Sequence, residues 1–146
     1  ALELEDQGQD ERAGECYRTL LARKPDHVDS LVNLGNIEYR SGRTKPAEAR
    51  YRRALGFQPD HVEGNYNLAN LLDEQGDDAG AMRHYRNALA GDPEFADAHF
   101  NLARVLERVG AFEQARQHWR RYLALDTTGQ WVDYIRRKLD EPTPDS

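Results

Sequence analysis

The sequence is poor in the residues that announce a chemistry. It holds one cysteine, Cys16, which excludes an internal disulfide framework and points to a reducing compartment. Its apolar runs are short of the roughly 18 residues needed to span a bilayer, which argues against a membrane protein. It has no glycine-rich phosphate loop, nucleophile elbow or HExxH motif, and Ser30 and Ser41 have no evident base partner. His84 and His118 fall in column with Cys16 and Arg50, but this is not a spacing at which four ligands converge on zinc. Neither a metal, a cofactor nor an enzyme activity is expected. The net charge of -6 argues against nucleic acid, which calls for a basic face. A basic excess, a pair of cysteines and long apolar runs are all missing from the 146 residues, of which 38% are hydrophobic and 32% charged.

What the chain has is a period. NLGN at 33–36 returns as NLAN at 67–70 and as NLAR at 101–104, each 34 residues on. The same interval separates Pro25, Pro59 and Pro93, with Thr127 in the fourth slot, and aligns Gly8, Gly42, Gly76 and Gly110. Glycine tolerates the left-handed conformation at a helix C-terminus, so these four are expected to end the first helix of each unit. Ala13, Ala47, Ala81 and Ala115 keep step, as do Tyr17, Tyr51, Tyr85 and Trp119, and then Leu20, Ala54, Ala88 and Tyr122. Apolar residues between these marks recur at helical and not at strand spacing, as in Leu31, Leu34 and Ile37 followed by Ala47, Tyr51 and Ala54. Pro46 lies near the start of its helix, where a missing N–H costs nothing. Each unit therefore reads as an antiparallel helix hairpin, with small residues at Gly35, Ala69 and Ala103 where the two helices cross.

Those columns resemble the tetratricopeptide repeat family. The resemblance covers residues 1–128 and rests on Gly35/Ala69/Ala103, Gly42/Gly76/Gly110, Ala47/Ala81/Ala115, the Tyr/Tyr/Trp column and Pro59/Pro93. Departures are Thr127 for the closing proline, Tyr122 for an alanine, and Tyr39 one step later than the family places an aromatic. The resemblance implies an all-α, right-handed superhelical array of hairpins. The expected division is a partial first repeat at 1–26 with a truncated first helix, repeats at 27–60, 61–94 and 95–128, a capping helix at 129–139 and a disordered tail at 140–146. Trp131, Tyr134, Ile135 and Leu139 give the cap its apolar stripe. The opening ALELEDQG reads as the back half of a helix, so the chain is expected to be a fragment of a larger, cytoplasmic protein, able to self-associate through the exposed ends of its array.

The resemblance further implies that first helices line a concave groove. Asp29, Asn33, Asn36 and Arg40 share one helix face, as do Glu63, Asn67, Asn70 and Glu74, and Asp97, Asn101, Arg104 and Arg108. Asn33, Asn67 and Asn101 then form a ladder of amides, each able to donate to and accept from an extended backbone. The ladder is similar to that in the repeat domain of protein O-GlcNAc transferases, whose catalysis belongs to another domain. The competing reading is that these asparagines bond neighbouring helices or water. Two asparagines and three cations hold a terminal carboxylate in chaperone-binding relatives, but Val32, Asp97 and Asn101 stand where the cations are required. The expected function is a protein-protein interaction module. Its peptide-binding residues are Asn33, Asn36, Tyr66, Asn67, Asn70, Phe100, Asn101 and Arg104. The acidic row of Asp29, Glu63 and Asp97 favours an extended partner that is neutral or basic. The alternative is an oligomerisation or scaffold segment working through the array's ends or convex face. Arg18, Arg52, Arg86 and Arg120 form a further column read as a solvated face, and His27 and His61 a packing slot.

Overall fold

The computed structural model describes residues 2–126 and 128–144, with side chains from Gln7 onward, so the fourth closing position at Thr127 lies outside the described residues. The described chain is built from helices joined by short turns: α1 Leu2–Arg23, α2 Val28–Arg40, α3 Thr44–Phe57, α4 Val62–Glu74, α5 Asp78–Gly91, α6 Ala96–Arg108, α7 Phe112–Leu125 and α8 Val132–Asp140. It falls into two compact units, Ala1–Leu68 and Ala69–Ser146, whose boundary lies inside α4.

In the first unit α1 packs on α2 and α2 on α3. The helical stripe read from the sequence becomes the core: Leu31, Leu34, Ala47, Tyr51 and Ala54 are all buried. A methyl group built on Gly35 would stand 2.7 Å from Cε1 of Tyr51, so the glycine is what lets α2 and α3 approach this closely. In the second unit α5 packs on α6, α6 on α7 and α7 on α8, around Tyr85, Leu102, Leu106, Trp119 and Ile135.

Three of the four aligned glycines end helices as expected. Gly42, Gly76 and Gly110 have φ of +80°, +82° and +86°. At each, the N–H of the following residue reaches back five positions, from Arg43 to Glu38, Asp77 to Leu72 and Ala111 to Leu106, which closes the helix end with its carbonyls satisfied. Gly8 is a correction: it lies inside the continuous α1. Its backbone keeps the helical i to i−4 bonds that a reversal there would break.

The inter-repeat turns are held by side chains that composition alone would not single out. His27 and His61 are helix caps, which corrects their reading as packing residues: Nδ1 of His27 accepts from the Ser30 N–H at 3.2 Å, and Nδ1 of His61 from the Gly64 N–H at 2.9 Å. The closing prolines offer their carbonyls to one recurring position. Asn65 Nδ2 donates to Pro59 O at 2.9 Å, and His99 Nε2, 34 residues later, donates to Pro93 O at 2.8 Å.

The cap differs from expectation in its register. Val132 and Ile135 are its buried residues, while Trp131 precedes the helix and is 43% exposed. The tail from Glu141 to Pro144 is non-helical and laid against α7, since Arg116 donates to the carbonyls of Lys138, Leu139 and Glu141 at 3.4, 2.6 and 3.3 Å. Those bonds terminate α8 with a cation at the negative end of its dipole.

Candidate functional site

The asparagines recur for a reason internal to the fold. Nδ2 of Asn67 on α4 donates to Oδ1 of Asn36 on α2 at 2.8 Å, and the same oxygen accepts the hydroxyl of Tyr51 on α3 at 2.6 Å. Both lone pairs of Asn36 are thereby filled. Its own Nδ2 donates to Oε1 of Glu63 at 3.1 Å. The second unit repeats the arrangement: Oδ1 of Asn70 accepts from the Tyr85 hydroxyl and from Nδ2 of Asn101, the latter at 3.2 Å. Burial pushes the pKa of the Tyr51 hydroxyl up, helped by neighbouring Tyr39 and Glu63, so it remains a donor.

The premise that these amides stand unengaged is therefore corrected. Asn67 and Asn101 each spend one N–H on an asparagine of the preceding repeat, Asn36 and Asn70, as the competing reading of the sequence held. Asn36 and Asn70 are the hubs of a relay running from tyrosine through the hub to the rung. Asn67 is half-buried, and its second N–H and its carbonyl are outside the bond to Asn36. Asn33 is half-buried on α2. The participation of Tyr51 and Tyr85 was readable in principle, because the Tyr/Tyr/Trp column runs fifteen residues behind an Asn/Asn/Arg column. Where the hydroxyl is lost at Trp119, the acceptor is lost at Arg104.

The remaining predicted residues divide. Tyr66 is half-buried on α4. Phe100 is a correction: at 8% exposure it is a packing residue, with Trp119, Tyr122, Trp131 and Tyr134 around its ring at centroid distances of 5.3, 5.6, 5.1 and 6.4 Å. Trp131, just ahead of α8, and Tyr134 within it cover the ring and shield an apolar face that a hairpin array would otherwise expose. Arg104 is exposed, its guanidinium carbon 5.9 Å from the Phe100 centroid.

Charge is distributed less simply than the columns suggest. Asp29 is highly exposed and faces Nε2 of His61 at 3.3 Å; because Nδ1 of that ring caps α4, the neutral ring carries its proton on Nε2, towards the carboxylate. Glu63 holds Asn36, and Asp97 is exposed on α6. Arg108 is neutralised locally, because it is bound by both Asp73 and Asp78, the first contact very short and the second 2.6 Å. Of the arginine column, Arg52 pairs with Glu48 at 2.9 Å and Arg86 donates to Gln114 at 3.1 Å.

Two histidines in the second unit also meet. Nδ1 of His99 and Nδ1 of His118 are 2.9 Å apart, with ring centroids at 5.1 Å. Since His99 gives its Nε2 proton to Pro93, its Nδ1 accepts and His118 donates. Burial lowers the pKa of both, and the charges of His99 and Arg86 help take His118 to about 4. Among the described residues no group of histidine, cysteine, aspartate and glutamate could hold a metal ion, and no helix is long and apolar enough to cross a membrane.

Stacked helical hairpins closed by left-handed glycines, with small residues at each crossing and a terminal capping helix, define an α-helical repeat solenoid. Family models described as tetratricopeptide repeat match residues 1–62, 42–86 and 74–131. The chain belongs to the tetratricopeptide repeat family, whose arrays are scaffolds for protein-protein interaction. Similar folds include two crystal structures of MamA, each 18% identical in sequence, with TM-scores of 0.80 and 0.78; the match covers 94% and 93% of this chain and 78% and 76% of those. A tetratricopeptide repeat protein from Parabacteroides merdae is similar at a TM-score of 0.81 and 22% identity, over 95% of this chain and 56% of that one. No curated protein matches the sequence.

Proposed function

We propose that the chain is an interaction module that holds an extended peptide or unstructured segment on the first-helix faces of its hairpins, through the amides of Asn33, Asn67 and Asn101. The observation that carries this reading is the relay. A free asparagine side chain samples several rotamers and loses them on binding, whereas Asn67 is fixed from behind by Asn36, which Tyr51 fixes in turn. A pre-oriented amide meets a peptide bond at lower entropic cost, and its remaining N–H and carbonyl match the C=O and N–H of a backbone. The likeness to the asparagine ladder of O-GlcNAc transferase arrays supports the same use. Because peptide bonds are common to all partners, recognition of this kind is tolerant of sequence. Selectivity then comes from charge. Asp29 and Glu63 in the first unit, and Asp97 in the second, favour a neutral or basic segment.

The test is Asn67→Ala combined with Asn101→Ala, read by calorimetric titration of several unrelated, terminally blocked peptides. Affinity should fall by about thirtyfold for all of them, on the order of 1 kcal/mol for each of the two lost amide contacts, with helicity unchanged. Unaltered affinity would remove the amides from recognition and leave them as structural bonds only.

A further inference from the structure

The second unit has an arginine whose charge the fold does not use. On the last turns of α6, Glu107 is bound by Lys138 at 2.7 Å, and Arg108 by two carboxylates. Arg104 has neither an ion pair nor a hydrogen bond to any described residue; its guanidinium lies over the face of Phe100. It stands at the rim of an open cleft that Phe112, Trp119 and Tyr134 also line. A guanidinium over an aromatic face is weakly hydrated, and its planar fork fits a carboxylate through two parallel hydrogen bonds. The aromatic wall beside it suits an apolar side chain next to that carboxylate.

We propose that this cleft is a selectivity pocket for one internal aspartate or glutamate of the bound segment, followed by an apolar residue. The assignment rests on the reading of the asparagines as backbone contacts. Asn101 lies three residues before Arg104 on the same face of α6, so a chain held at Asn101 passes Arg104 in mid-chain and presents a side chain there, not its terminus. Asp97 lies one turn to the other side of Asn101, so the preference for acid is confined to a single position. The loss of the Tyr–Asn pair in the fourth repeat, replaced by Trp119 and Arg104, is what opens this specificity: tryptophan widens the aromatic wall, and arginine takes the slot of an amide hub.

The experiment uses short blocked peptides of glycine, serine and alanine with Glu-Leu, Gln-Leu or Lys-Leu at the centre, and the Gln-Leu peptide with a free C-terminal carboxylate. Binding is read by anisotropy and by the emission of the two tryptophans, Trp119 and Trp131, both of which lie in this region. The Glu-Leu peptide should bind about fivefold tighter than Gln-Leu, a charge-assisted pair at a partly open site. Arg104→Gln should erase that margin without changing the Gln-Leu affinity. Equal affinity of the two peptides for the wild type, or a margin that survives Arg104→Gln, would overturn the pocket alone. Preferential binding of the free-carboxylate peptide would overturn it in favour of a chain terminus. Binding of none of the peptides would overturn the backbone reading and the pocket with it.

Discussion

Two junctions in this molecule occupy the same slot of the repeat and are built from different physics. In the first unit α2, α3 and α4 are tied at their surface by Tyr51, Asn36 and Asn67, three polar groups within 2.8 Å of their partners. In the second unit α6, α7 and α8 meet around Phe100, Trp119, Trp131 and Tyr134, where the binding is by ring contact and exclusion of water. A hydrogen-bonded junction fixes direction and leaves part of an amide facing outward. An aromatic junction supplies more cohesion but leaves no backbone-matching group, only the cation at Arg104. On the proposed reading, the hydrogen-bonded junction serves recognition and the aromatic one closure.

The comparison can be broken first at its aromatic side. Phe100→Ala should destabilise the second unit by about 3–5 kcal/mol, because four rings lose their common neighbour. Urea denaturation followed by tryptophan emission checks it; a cost below about 1 kcal/mol would show the ring to be peripheral. On the polar side, Gly35→Ala should cost about 1–3 kcal/mol, since the added methyl meets the Tyr51 ring at 2.7 Å. The same methyl is native at Ala69 and Ala103, so the loss sharpens the distinction between the first crossing and the later ones. Tyr51→Phe should cost about 1 kcal/mol, one neutral hydrogen bond. A double-mutant cycle with Asn36→Ala should show the two effects to be coupled, not additive.

How much of this was legible in the sequence follows from what a helical period encodes. It encodes faces, and the buried stripe of Leu31, Leu34, Ala47, Tyr51 and Ala54 was readable residue by residue. It encodes ends where glycine needs positive φ, as at Gly42, Gly76 and Gly110. It does not encode which glycine of a column takes positive φ and which stays helical, which is why Gly8, inside α1, misled. Nor does it name the partner of a polar group, because that depends on the phase of the next hairpin and on rotamers. Asn36 and Asn67 could be read onto equivalent faces of successive first helices, yet their mutual bond, and the tyrosine behind it, needed coordinates. Phe100 shares a column with Val32 and Tyr66, and only the aromatics of α8 decide that it is covered.

Acid offers a gentler probe. His99 and His118 are neutral in the folded unit, with pKa values lowered by burial, and rise towards 6.5 on unfolding. The unfolded chain therefore binds more protons between those limits, so stability is whole above pH 6.5 and declines as pH falls towards about 4. His118→Phe should flatten the thermal midpoint against pH in that window; an unchanged slope would place the acid sensitivity elsewhere. Smallest of all, Arg52→Ala should shift stability by no more than about 0.5 kcal/mol, because its pair with Glu48 is exposed and within one helix.

The most direct measurement is of the rungs themselves. With the side-chain amides of Asn67 and Asn101 assigned by nuclear magnetic resonance, one Nδ2 proton of each should be protected before any ligand is added, and Tyr51→Phe should loosen that of Asn67 but not that of Asn101. Titration with blocked peptides of unrelated sequence should then shift both amides in parallel. Resonances that stay still while a peptide binds would contradict the account, leaving the asparagines as ties between helices and nothing more.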